Sequence, residues 1–125
     1  MNKIALITGA TSGIGKATAI AFSQKNIDLI LCGRNAEILS ELKEELSSKV
    51  KVTTLNFDIR DKKAVFEQIE SLKSPFDKID ILINNAGNAH GMDPIQDGST
   101  DDWDAMLDIN VKGLLYVSKA IIPGM

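Results

Sequence analysis

Short apolar runs alternate with helix-spaced segments along this chain, and no other feature constrains its fold as strongly. Residues 3–8 form an apolar run ending at Gly9, and residues 14–25 then carry Ile14, Ala17, Ala21 and Phe22 at helical intervals. Residues 27–32 repeat the run, and residues 36–48 place Ile38, Leu39, Leu42 and Leu46 on one face among Glu and Lys. Residues 50–57 are rich in β-branched side chains; residues 61–73 then space Ala64, Val65, Ile69 and Leu72 as a helix that stops before Pro75. The fourth run, 79–83, closes on Asn84, Asn85 and Gly87. Residues 88–99 lack periodicity and are expected to be a loop. A long helix should follow from Ser99 or Thr100 to Ile122, with Asp101 and Asp102 at its positive end, a bend near Asn110 and Gly113, and Pro123-Gly124 at its close.

Apolar strands alternating with helices predict an α/β fold: a parallel sheet covered on both faces, three layers deep. Right-handed crossovers favour the doubly wound strand order 3-2-1-4. No linker, repeat or composition shift divides the chain, so residues 1–125 are expected to form one domain. Fourteen Lys and Arg against seventeen Asp and Glu give a net charge of -3, which argues against nucleic acid or an anionic membrane as partner. The first apolar run is too short for an export signal, and no stretch approaches a membrane span. Cys32, the single cysteine, lies within an apolar run and reads as a small buried hydrophobe in a reducing, cytoplasmic protein.

The strongest local signal is Thr8-Gly9-Ala10-Thr11-Ser12-Gly13-Ile14-Gly15, between an expected strand and an expected helix. Gly9 allows a sharp turn off the strand, Gly13 clears space where a pyrophosphate would approach, and Gly15 lets the helix pack closely. The helix start offers unpaired N–H groups and a positive dipole end to phosphate, and Thr11 and Ser12 can add hydroxyl donors.

This turn, with Asp58-Ile59 after the third run, Asn84-Asn85-Ala86-Gly87 after the fourth, and Asn110 in the long helix, resembles the short-chain dehydrogenase/reductase family along nearly the whole chain. The resemblance implies a Rossmann-like fold that binds a nicotinamide dinucleotide through the glycine turn, Ile14 included. It implies that Asp58 receives the adenine amino group beside the Ile59 backbone. The other reading of Asp58 is an N-cap for the helix from Asp61. It also implies that Asn84, Asn85, Ala86 and Gly87 steady the sheet and touch the cofactor ribose; a plain turn is the alternative.

At the end of the second strand an NAD enzyme would place an acid for the ribose hydroxyls. This chain has Gly33-Arg34-Asn35, where an arginine can fork onto a 2′-phosphate and no acid repels it. NADP is therefore expected ahead of NAD; a solvated loop charge is the other account of Arg34.

The family's catalytic set is Asn, Ser, Tyr and Lys, and the resemblance assigns Asn110 to the first role, ordering a relay water. Tyr116 and Lys119 are three apart where the family pair is four apart, and they fit a packing face better. The Ser, Tyr and Lys would then lie beyond Met125, so the chain would match about half of such a protein, would lack activity alone, and would leave Ile79, Ile81, Leu82 and Ile83 on an exposed apolar edge. Residues 79–125 further resemble a branch of NADP-dependent 3-hydroxy acid dehydrogenases and malonic semialdehyde reductases, implying a small hydroxy or oxo acid as substrate and a homo-oligomer in the full-length form. His90 reads as a loop residue and Trp103 as a packing residue; no Cys/His or carboxylate set suggests a metal. A non-catalytic dinucleotide-binding or interaction module is the alternative to an oxidoreductase.

Overall fold

The computed structural model describes residues 1–88 and 93–125. Four strands, β1 (Ile4–Ile7), β2 (Asp28–Gly33), β3 (Val52–Asn56) and β4 (Ile81–Ile83), form one parallel sheet in the order β3-β2-β1-β4. The register pairs Ile4 with Asp28, Leu29 with Val52 and Ala5 with Ile81. The crossovers are α1 (Gly13–Ser23), α2 (Ala36–Leu46) and α3 (Lys62–Glu70).

Side-chain alternation divides the core into two layers. Ile4, Leu6, Ile30 and Cys32 face Val65 of α3 and Val117 and Ile121 of the last helix; Ala5, Ile7, Leu29 and Leu31 face Ala19 of α1 and Leu39, Leu42 and Leu46 of α2. The central strands are thus apolar apart from Asp28 at the start of β2, because both of their faces are covered. The three-layer, doubly wound order expected from the alternation is the order observed.

α1 departs from expectation. The buried positions are Gly15, Ala19 and Ser23, whereas Ile14 is 77% exposed and Ala17 and Ala21 face outward. Ala10 and Ala19 are fully buried, and only small side chains let this helix lie so near the strands. Of the stripe expected from 3.6-residue spacing, Phe22 packs half-buried on the core, and Ile14, Ala17 and Ala21 lie off the buried face.

The long helix runs as α4 (Thr100–Leu107), a π-helical segment (Asp108–Gly113) and α5 (Leu114–Ile121), with helical backbone angles across both junctions. The irregularity expected near Asn110 and Gly113 is this widening of the helix rather than a break. A Cβ on Gly113 would stand 2.6 Å from Ile59, so the segment lies directly against the loop that follows β3. Tyr116 is half-buried against the core and Lys119 is exposed, as a packing face requires. Trp103, 38% exposed, rests on Gly98.

β4 pairs only with β1 among the described residues, and its three side chains are half-buried. Ile79 does not share that edge. It is 8% exposed and belongs to the core layer of Ile4, Leu6 and Ile121, while the backbone N–H of Asp80 donates to the Ile4 carbonyl at 2.9 Å and carries the chain alongside β1. No helix among the described residues is long and apolar enough to cross a membrane.

Candidate cofactor site

Strand order reverses between β1 and β4, and at the carboxyl ends of the strands there lies a cavity of about 680 Å³. A crevice at that switch point is where open α/β sheets hold their ligands. Its walls come from four separate loops. Gly9, Thr11, Ser12, Gly13 and Ile14 follow β1; Arg34 and Asn35 follow β2; Asp58 and Ile59 follow β3; Asn85, Ala86 and Gly87 follow β4.

The glycine turn has the geometry its sequence predicts. Gly9 and Gly13 adopt φ of +62° and +55°, where a side chain is strained, and a Cβ on Gly13 would meet nothing within 4 Å. That open space lies at the N-terminus of α1. The Ser12 hydroxyl makes no capping bond there, and the first turn carries no acid. Elsewhere Asn35 caps α2 at 3.1 Å, Asp61 caps α3 at 3.1 Å and Ser99 caps α4 at 3.4 Å. The leading N–H groups of α1 are thus left for an incoming anion. Gly15 has a different task from the one expected. A Cβ there would strike the Gly9 carbonyl and the Asn85 carboxamide, so its constraint comes from two turns meeting rather than from the sheet face.

Thr8 was assigned no role from sequence, yet it joins those turns. Its buried hydroxyl accepts the backbone N–H groups of Asn85 at 3.0 Å and Ala86 at 2.9 Å. The Asn85 side chain donates back to the carbonyls of Thr8 at 3.3 Å and Gly9 at 3.1 Å. The signal available was a hydroxyl residue at the last position of a buried strand, which needs a polar partner. Phe57 and Ile109 also line the cavity without having been singled out.

Asp58 does not cap α3; that position belongs to Asp61, whose carboxylate reaches the Ala64 N–H. Instead Asp58 accepts the Arg60 backbone N–H at 2.9 Å and a side-chain fork from Arg60, with Nη2 donating at 2.6 Å. The Arg60 hydrogen bond holds the Asp58 carboxyl below the usual carboxylate range, against a smaller opposing effect of burial. Arg34 stands 3.8 Å from the same carboxylate with its side chain 60% exposed.

Three expected site residues stand apart from the cavity lining. Gly15 lies behind the turn, the Asn84 amide donates to the Ser118 hydroxyl at 3.0 Å, and the Asn110 amide donates to the Asn88 carbonyl at 2.7 Å. Asn110 also touches Gly87, so it fastens the loop after β4 to the π segment. His90 lies outside the described residues.

A parallel sheet in this order with a glycine turn at its switch point places the chain in the Rossmann class of doubly wound α/β folds. More narrowly, residues 3–125 match the model of the short chain dehydrogenase family, and the chain belongs to that family. It is 48% identical over 123 residues to sulfoacetaldehyde reductase 2 of Chromohalobacter salexigens, covering 98% of this chain and 49% of that protein. It is 43% identical over 122 residues to an NADP-dependent 3-hydroxy acid dehydrogenase of Escherichia coli, covering 98% and 48%. The closed form of a serine dehydrogenase complexed with NADP+ superposes with a TM-score of 0.90 at 43% identity, over 98% of this chain and 48% of that one. An NAD+-bound xylitol dehydrogenase superposes at 0.93 with 35% identity, again over 98% and 48%. The chain spans about half the length of the relatives it matches.

Proposed function

We propose that residues 1–125 form one dinucleotide-binding domain, the cofactor half of an NADP-dependent oxidoreductase acting on a small 3-hydroxy or 3-oxo acid. The observation that carries the cofactor is the meeting of an uncapped α1 N-terminus with Arg34 on one cavity. The cavity's volume lies within the roughly 300–1,000 Å³ range of small-molecule sites. The α1 N–H groups, Thr11 and Ser12 receive the pyrophosphate, Arg34 receives the 2′-phosphate, and Asp58 and the Ile59 backbone face adenine. Asn35 shares the lining, with its side-chain oxygen engaged in capping α2. Asn85, Ala86 and Gly87 border the ribose. Asn84, turned to Ser118, steadies this loop from behind.

The bound nicotinamide supplies the hydride. Asn110 is assigned the ordering of a relay water, and its hydrogen bond to the Asn88 carbonyl holds the loop after β4 against the helix. The sulfoacetaldehyde reductase and the 3-hydroxy acid and serine dehydrogenases named above support a small acid as substrate. Proton transfer in this family needs a Ser and a Tyr-x-x-x-Lys pair; the chain's one tyrosine, Tyr116, is not so spaced. The 125-residue chain is therefore proposed to bind cofactor without turnover. A cytoplasmic setting is proposed on the buried, unpaired Cys32 thiol.

Titration with NADPH and then NADH, followed by nicotinamide fluorescence and unfolding temperature, tests the assignment, because a ligand of the folded state raises its apparent stability. Tighter NADPH binding without oxidation of 3-hydroxy acids is the expected result. Binding of neither cofactor would refute it.

A further inference from the structure

Arg60 is absent from the cavity lining, yet it grips a carboxylate that is part of it. Its Nε donates to both oxygens of Asp58 at 3.1 Å, and its Nη2 donates to Oδ2 at 2.6 Å. Beyond the same carboxylate stands Arg34, whose Nη1 is 3.8 Å from Oδ2. Two guanidinium groups thus face one anion, and the short forked contact belongs to Arg60. A fork of this kind occupies the carboxylate oxygens in a fixed plane and neutralises their charge at close range.

We propose that Arg60 is a positioning residue that sets the preference for a phosphorylated cofactor: by occupying Asp58, it leaves the Arg34 guanidinium free to receive a 2′-phosphate. This inference rests on Arg34 being that phosphate's partner, as proposed above. Without Arg60, two consequences follow from the same distances. Asp58 draws Arg34 from its loose 3.8 Å ion pair into a hydrogen-bonded one, and with one guanidinium fewer its charge is less compensated beside an incoming dianion. Both weaken NADPH specifically. NADH carries the same adenine, so any disturbance of the contact between Asp58 and adenine moves the two cofactors together.

The test is the ratio of NADPH to NADH dissociation constants in the purified protein, measured by nicotinamide fluorescence. Arg60→Ala, with Arg60→Gln as a parallel variant, is expected to weaken NADPH about fivefold relative to NADH, the upper range for a solvent-facing ion pair. Adding Asp58→Asn to either variant removes the competitor and should return the ratio to its starting value. An unchanged ratio in both Arg60 variants, or one that Asp58→Asn does not restore, overturns the inference. Arg34→Ala separates the two levels. If it leaves the ratio unchanged, the assignment of Arg34 fails and takes the inference with it; if it raises the ratio while the Arg60 variants do not, only the role of Arg60 is lost.

Discussion

The Thr8 hydroxyl accepts the backbone N–H of Asn85 at 3.0 Å, and this contact helps couple the turn after β1 to the turn after β4. Thr8 is 2% exposed, so its partners have no water to replace it. Thr8→Val keeps the shape and strands the N–H groups of Asn85 and Ala86, at a cost of about 2–3 kcal/mol. Urea denaturation should show that loss, with Thr8→Ser recovering most of it. A neutral Thr8→Val would mean that the two turns are held by packing alone.

Gly15→Ala is expected to weaken both nicotinamide cofactors together. Its Cβ would push against the Gly9 carbonyl and the Asn85 amide, which moves the phosphate turn itself. Overpacking of this sort costs about 1–3 kcal/mol. Gly13→Ala differs, because a Cβ there meets only open space: it should lower cofactor affinity with a smaller effect on the free protein's melting temperature, chiefly through its positive φ. Equal melting temperatures for the two variants would contradict this division.

The pH dependence of stability should contain a contribution from Asp58. Its folded carboxyl titrates below the ordinary value because of the Arg60 hydrogen bond. The linked stabilisation is therefore complete above the unfolded value of about 3.9 and is lost as pH falls through the lower folded value. With the carboxylate 30% exposed, about 0.2–1 kcal/mol is expected. Comparing urea midpoints of wild type and Asp58→Asn between neutral pH and acid gives the test, and curves that stay parallel below pH ~4 would argue against it.

Cys32 should resist thiol reagents until the protein opens. The side chain is 1% exposed in the middle of the sheet, and burial pushes its thiol well above the ordinary range, so almost no thiolate is present to react. Labelling at mildly alkaline pH is expected to follow unfolding and to slow when NADPH is added. Rapid, complete labelling of the native protein would show that β2 is accessible.

Self-association is expected from two surfaces of the described chain. β4 has one unpaired edge, and Leu107, Val111 and Leu115 lie on the long helix at 55%, 47% and 57% exposure. Four-residue spacing lines these side chains along one stripe. Size-exclusion chromatography should show concentration-dependent association that Leu107→Lys with Leu115→Lys reduces. A sharp monomer peak at all concentrations would count against a sticky edge or stripe.

Much of the architecture was legible because burial on both faces writes a strand as a continuous apolar run. β1 and most of β2 are such runs, and the parallel order follows from the helices between the strands. The cavity was legible for a related reason. A turn that needs positive φ at Gly9 and open space at Gly13 tolerates few residue types, so its spacing betrays its conformation. α1 was misread where the core is made of glycine, alanine and serine, since closeness rather than hydrophobicity selects those residues. Ile79 was misplaced because which core layer it joins depends on residues distant in sequence.

Local chemistry along the chain determined the strand and helix alternation, the phosphate-type turn and the basic residue at the end of β2. Tertiary structure alone decided which partners those residues take. Thr8 meets Asn85, Asn110 meets Asn88, and Asp58 is claimed by Arg60 before Arg34. Backbone geometry and hydrophobic pattern are properties of a few neighbouring residues, whereas the partner of a buried or shared polar group depends on where distant loops converge, and a linear pattern carries no record of that distance.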